Sequence, residues 1–166
     1  METGDWLRCY KKERPPCDDA LSEKNALTYF QALKPAHARK KVKDMTFKEG
    51  QEFKVRIKPD DDCNSFSINI GHDSDNIALH LNPRFEVSTI VFNSLSGGSW
   101  GDEQHEGNFP FARGEECKIH INFNNEQFYI KLPDGSMLNF PNRLGDVKYK
   151  YFDVCGDARI IGIKIK

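Results

Sequence analysis

Between Ile77 and His105 the chain places hydrogen-bonding side chains at alternate positions. His80, Asn82 and Arg84 alternate with Ile77, Leu79 and Leu81. A strand turns successive side chains to opposite faces, so three polar groups line one face about 6.6 Å apart. The next apolar run, Ile90 to Asn93, separates Ile90 and Phe92 from Val91 and Asn93. Trp100 follows a Gly97-Gly98 turn, and Glu103 and His105 share parity. If these segments neighbour one another in a sheet, the polar faces merge into a shallow patch beside one large aromatic ring.

That patch suits a polyol. Arg84 donates in a rigid fork, Asn82 and Asn93 both donate and accept, Glu103 accepts, and a neutral histidine does either. A sugar ring also has an apolar C–H face, which an indole such as Trp100 covers while excluding water. Glu103 is placed to hold Arg84 through a charge-assisted bond. Other chemistries fit less well. Ser88, Ser94, Ser96 and Ser99 lie near His80 or His105 in sequence, but nothing marks a nucleophile paired with a base. His80, His105 and Glu103 are a thin zinc set beside Asn and Arg neighbours. Glu103, Glu86 and Asp102 do not form an evident acid/base pair for glycoside hydrolysis. No glycine-rich loop links a strand to a helix, so no nucleotide fingerprint is present. The expectation is a binding protein, not an enzyme, with neither cofactor nor metal. Each group also has a plainer reading. Asn82-Pro83-Arg84 could be a strand end and turn, Trp100 a cap on the core, and Glu103 and His105 loop surface.

The elements that must position these groups are short strands. From Phe47 onward, apolar residues alternate in runs such as Phe53-Val55-Ile57, Phe66-Ile68-Ile70, Ile119-Ile121-Phe123 and Phe128-Ile130-Leu132. Turn chemistry separates them: Lys48 to Gln51, Pro59 to Asp62, Asn124 to Glu126, and Pro133-Asp134-Gly135. About ten strands without helical crossovers predict an all-β fold, with half-buried antiparallel sheets packed face to face; a closed barrel would give similar local patterns.

Residues 1–43 differ in texture. They carry a net charge of about +4 against about −5 for residues 44–166, which divides the chain into an N-terminal extension and a body. Within the extension, Ser22 could cap a short helix over residues 26–33, ended by Pro35; the alternatives are a loose tail or a partner-binding arm. The basic run Arg39 to Lys43 reads as a solvated entry strand. It lacks the interleaved aromatics of a nucleic-acid site, and the net charge of −1 gives no general pull toward nucleic acid. No apolar run is long enough to span a membrane, and the first residues lack the apolar core of a signal peptide. Five widely and irregularly spaced cysteines read as thiols in a reducing compartment, with Cys117 in the core.

Several motifs together resemble a galectin carbohydrate-recognition domain: HLNPRF (80–85), IVFNS (90–94), WGDEQ (100–104), FPF (109–111), LPDG (132–135) and FPNRL (140–144). The resemblance covers residues 44–166. It implies a jelly-roll-like sandwich of two antiparallel sheets that binds β-galactosides such as lactose and N-acetyllactosamine without metal. In the family pattern His80, Asn82 and Arg84 grip the galactose 4-hydroxyl and ring region. Asn93 and Glu103 take the 6-hydroxyl and the neighbouring sugar, and Trp100 stacks on galactose. Family members of this size are often cytosolic, leave the cell without a signal peptide, and form non-covalent dimers through terminal strands. Their partners are glycans and glycoproteins.

The chain departs from that pattern in three places. His105 stands where the family usually has Arg, and a shorter, mostly neutral side chain there predicts altered contact beyond galactose. The span from Arg84 to Asn93 is about four residues shorter than in many relatives, which predicts a more open site. The N-terminal extension is longer than compact relatives carry. These departures keep a competing expectation alive, a galectin-fold structural or protein-interaction module with lost or altered lectin activity.

Overall fold

A computed structural model describes residues 40–42 and 45–166. The expected helix over residues 26–33, like the rest of the N-terminal extension before Lys40, lies outside the described residues. In chain order the strands are β1 Lys40–Val42, β2 Phe47–Lys48, β3 Phe53–Pro59, β4 Phe66–Asp73, β5 Asn76–Arg84, β6 Thr89–Ser96 and β7 Ser99–Trp100. They continue with β8 Gln104–Glu106, β9 Cys117–Phe123, β10 Gln127–Lys131, β11 Met137–Pro141, β12 Lys148–Tyr149, β13 Tyr151–Gly156 and β14 Ala158–Ile165. No helix occurs among the described residues.

Two antiparallel sheets carry the fold. One runs β1-β13-β4-β5-β6-β7, with β8 also paired to β6, and the other runs β11-β10-β9-β3-β14. The pair β12-β2 stands apart from both. Alternation explains the second sheet directly. Phe53, Val55 and Ile57 of β3 and Ile119, Ile121 and Phe123 of β9 are buried, while Arg56, Lys118 and Asn122 between them are exposed. The inner faces interdigitate through aromatic rings. Phe92 of β6 stacks on Phe140 of β11 with centroids 5.9 Å apart, and Phe53 of β3 meets Phe152 of β13 at 4.8 Å. Each such ring, taken out of water, contributes roughly 2–3 kcal/mol. Alternation breaks in β14, where the register shifts between Ile160 and Gly162. Ile161 falls outside the ladder there and is exposed.

The first sheet departs from the expected half-buried pattern. Every residue from Phe66 to Gly71, from Ile77 to Pro83 and from Ile90 to Leu95 is buried. The face turned away from the core is therefore largely withdrawn from water as well. Polar residues survive this because they are hydrogen-bonded: among the described residues no buried side-chain nitrogen or oxygen lacks a hydrogen-bond partner. Within the patch His80, Asn82 and Asn93 are buried, Arg84, Trp100 and Glu103 are half-buried, and His105 is exposed. Cys117 lies less deep than expected, half-buried at the edge of the core.

Candidate galactoside site

Strand register assembles the site. In the β5–β6 ladder His80 pairs with Asn93, Asn82 with Val91 and Arg84 with Thr89. In the β6–β8 ladder Val91 pairs with His105. Residues paired across a ladder point to the same face, so His80, Asn82, Arg84, Asn93 and His105 share one face. Glu103 ends the link into β8, and Trp100 enters from β7 opposite Leu95. The β6–β7 hairpin turns at Gly97 and Gly98, with φ of +57° and +79°. Such left-handed pairs match the twist of a two-residue hairpin and exclude most side chains. The amides of Gly97 and Gly98 bond to Asn76 Oδ1 (3.0 Å) and to the Asp75 carbonyl (2.9 Å), which ties the hairpin to the start of β5.

The side chains form one connected network. Asn82 donates through Nδ2 to the Phe66 carbonyl at 2.7 Å, so its Oδ1 faces Arg84, whose Nε donates to it at 3.0 Å. Arg84 Nη2 donates to Glu103 Oε1 at 3.2 Å. The other carboxylate oxygen of Glu103 lies 2.8 Å from His105 Nε2. Glu103 thus bridges Arg84 and His105. Histidine here reaches the carboxylate that the family pattern gives to arginine, but its exposed ring lacks a second fork. His80 Nδ1 meets Asn69 Oδ1 at 2.6 Å, and its ring packs at 4.8 Å against Trp100. Burial, and then the Arg84 charge, push the His80 pKa down to about 3. The imidazole therefore stays neutral, with one nitrogen able to accept. Asn93 Nδ2 donates to the Gly101 carbonyl at 3.0 Å, and its Oδ1 receives the Ser94 amide at 2.8 Å.

One contributor was not evident from the sequence. Arg143, on the segment after β11, donates to Asn93 Oδ1 (3.3 Å), Ser94 Oγ (3.2 Å) and the Asp102 carbonyl (2.9 Å). Its guanidinium lies 4.8 Å over the Phe140 ring. It clamps the stretch that carries Trp100 and Glu103. A Cβ at Gly101 would come within 2.8 Å of Arg143 Nη1, so a larger residue there would displace the end of the clamping side chain. FPNRL contains Arg143, yet strand parity cannot show that a residue from the other sheet's edge crosses to this site. The shortened β5–β6 connection is a tight turn over residues 85–88. Ser88 takes φ +47° and Val87 points into solvent.

Residues 38–165 match the family model described as galactoside-binding lectin. The chain belongs to the galactoside-binding lectins. A beta-galactoside-binding lectin of Electrophorus electricus is 48% identical over 126 residues, covering 74% of this chain and 93% of that protein. Human galectin-2 is 43% identical over 125 residues, covering 75% and 95%. Among solved structures, the Dario rerio galectin-1-L2 superposes with a TM-score of 0.75 at 46% identity, covering 76% and 99%. Lactose- and MES-liganded congerin II gives 0.74 at 32% identity, covering 78% and 100%. Galactoside-binding lectins are carbohydrate-binding proteins rather than enzymes, and the all-β, two-sheet antiparallel architecture expected from sequence is the one observed. Among the described residues no three His, Cys, Asp or Glu side chains group to hold a metal ion, and no helix is long and apolar enough to cross a membrane.

Proposed function

We propose that this lectin binds β-galactosides of the lactose and N-acetyllactosamine type, without metal, through His80, Asn82, Arg84, Asn93, Trp100, Glu103 and His105. The observation that carries the reading is the Asn82–Arg84–Glu103–His105 chain. It fixes donors and acceptors beforehand on one sheet face, with Trp100 against His80. Fixed polar groups lose little freedom when a sugar's hydroxyls meet them. The indole, half-exposed at the end of β7, is placed to take the C–H face of galactose. Retention on a lactose resin, with elution by free lactose, tests this directly. Trp100→Leu keeps an apolar side chain but removes the flat ring, and should weaken lactose binding about tenfold in a fluorescence or calorimetric titration. Failure of the wild-type chain to bind lactose or N-acetyllactosamine would favour a galectin-fold protein-interaction module instead.

His105 sets the reach beyond galactose. In place of arginine it occupies Glu103 with one nitrogen and has no second fork for the next sugar. His105→Arg should tighten N-acetyllactosamine several-fold while altering the binding of galactose alone much less. Equal affinity for the disaccharide before and after the change would dismiss this role. The same reading extends to a non-covalent dimer through terminal strands, and to a cytosolic lectin exported without a signal peptide. The N-terminal extension, residues 1–43, and the recognition domain, 44–166, are proposed as separate parts.

A further inference from the structure

One row of side chains crosses five strands of the first sheet. Cα pairing runs Lys41–Asp153 (β1–β13), Asp153–Asn69 (β13–β4), Asn69–His80 (β4–β5) and His80–Asn93 (β5–β6). Asn69 and Asp153 belong to none of the motifs that mark the sugar site, yet both are fully buried on its flank. A buried carboxylate on β13, between β1 and β4, needs a reason.

The hydrogen bonds supply one. Asp153 accepts on both oxygens, at Oδ1 from Asn69 Nδ2 at 2.5 Å and at Oδ2 from the Tyr151 hydroxyl. Lys41 Nζ lies 5.0 Å from the centre of the Tyr151 ring. A carboxylate offers no proton, so the amide nitrogen of Asn69 must face Asp153 and its oxygen must face β5. That oxygen is 2.6 Å from His80 Nδ1. Two acceptors cannot share a bond of that length without a proton, so the proton sits on Nδ1. Nε2 is then the acceptor of the neutral ring.

We propose that Asp153 is a positioning residue that acts through Asn69 to fix the tautomer of His80, so that Nε2 accepts a hydrogen bond from a galactose hydroxyl. The use made of Nε2 rests on the galactoside reading above; the tautomer itself does not. Without Asp153, the Asn69 amide can turn its nitrogen toward His80. The ring must then carry its proton on Nε2, which presents a donor where the sugar now meets an acceptor. Asp153 thereby selects the polarity of a contact it does not touch.

The experiment combines ¹⁵N NMR of the histidine rings with lactose titration. In the wild-type chain, His80 should show a protonated Nδ1 and an unprotonated Nε2 before sugar is added; a protonated Nε2 overturns the proposal without any variant. Asp153→Val should populate the second tautomer and weaken lactose about tenfold, while thermal melting reports whether the fold holds. The double variant Asp153→Val, Asn69→Asp supplies an acceptor at position 69 that cannot flip. It should restore both the Nδ1–H signal and most of the affinity. Affinity lost in Asp153→Val with an unchanged His80 tautomer assigns Asp153 a merely structural role and overturns the proposal. So does a double variant that recovers neither. If the wild-type tautomer is as stated but lactose does not bind, the galactoside reading fails and the relay stands.

Discussion

Arg84→Ala should lower lactose affinity on the order of a hundredfold, the largest loss of any single change in the site. The guanidinium joins two otherwise separate parts: it donates to Asn82 Oδ1 on its own strand and to Glu103 Oε1 on the stretch leading into β8. Its removal deletes one donor proposed to meet the sugar and leaves both acceptors without their fixed partner. A charge-assisted bond to a ligand contributes about 1.5–3 kcal/mol, and disordering Glu103 adds to the loss. Because the Arg84–Glu103 pair is partly open to water, its effect on fold stability should be small, about 1 kcal/mol or less. Arg84→Lys separates charge from geometry. An ammonium cannot reach Asn82 and Glu103 together, so most of the loss should persist. Calorimetric titration with lactose, beside thermal melting of each variant, checks both halves. An Arg84→Lys variant that binds like wild type would show that the fork is not what matters.

The β5 part of the Arg84 network was legible in the sequence because Asn82 and Arg84 sit two residues apart on one strand. Parity alone puts His80, Asn82 and Arg84 on one face, and one extra hairpin brings Asn93 beside them. The same parity holds for Asp153 with Tyr151 and for Asn69 with Ser67. Those pairs remained unread for a topological reason. β13 reaches β4 only after the chain has built the entire second sheet except β14, and no local pattern says which distant strands will be neighbours. Arg143 was hidden for the same reason, acting from a loop of the opposite sheet. Alternation also misjudged water. It separates the two faces of a strand correctly, but a polar face can be buried as well as exposed. Here the central stretches of β4, β5 and β6 are buried on both sides, which their hydrogen-bonded polar groups permit. A one-dimensional pattern reports residue type and leaves the depth of each face open.

That depth gives His80 a second consequence, in acid. Its folded pKa is about 3 against an ordinary value of 6.5, with burial the main cause and the Arg84 charge the second. Below pH 6.5 the unfolded chain therefore binds a proton that the folded chain refuses. Stability from this group is fully present above pH 6.5 and declines as pH falls toward 3, because protons favour the unfolded state. At 1.36 kcal/mol per pKa unit the loss is roughly 4 kcal/mol at pH 3, and about 3 kcal/mol is already gone by pH 4. His80→Gln cannot titrate. The variant should start less stable near neutral pH, since the bond to Asn69 is disturbed, and the gap to wild type should close as the solution is acidified. Urea midpoints measured from pH 7 to pH 4 give the comparison, and the carboxylates common to both proteins cancel in the difference. Parallel curves would mean that His80 takes up its proton in the folded state as readily as in the unfolded one. Over the same range the neutral ring keeps its acceptor, so the contact proposed for it with a sugar hydroxyl should hold while the fold around it weakens. Acid would then release a bound galactoside through unfolding rather than through protonation of the site.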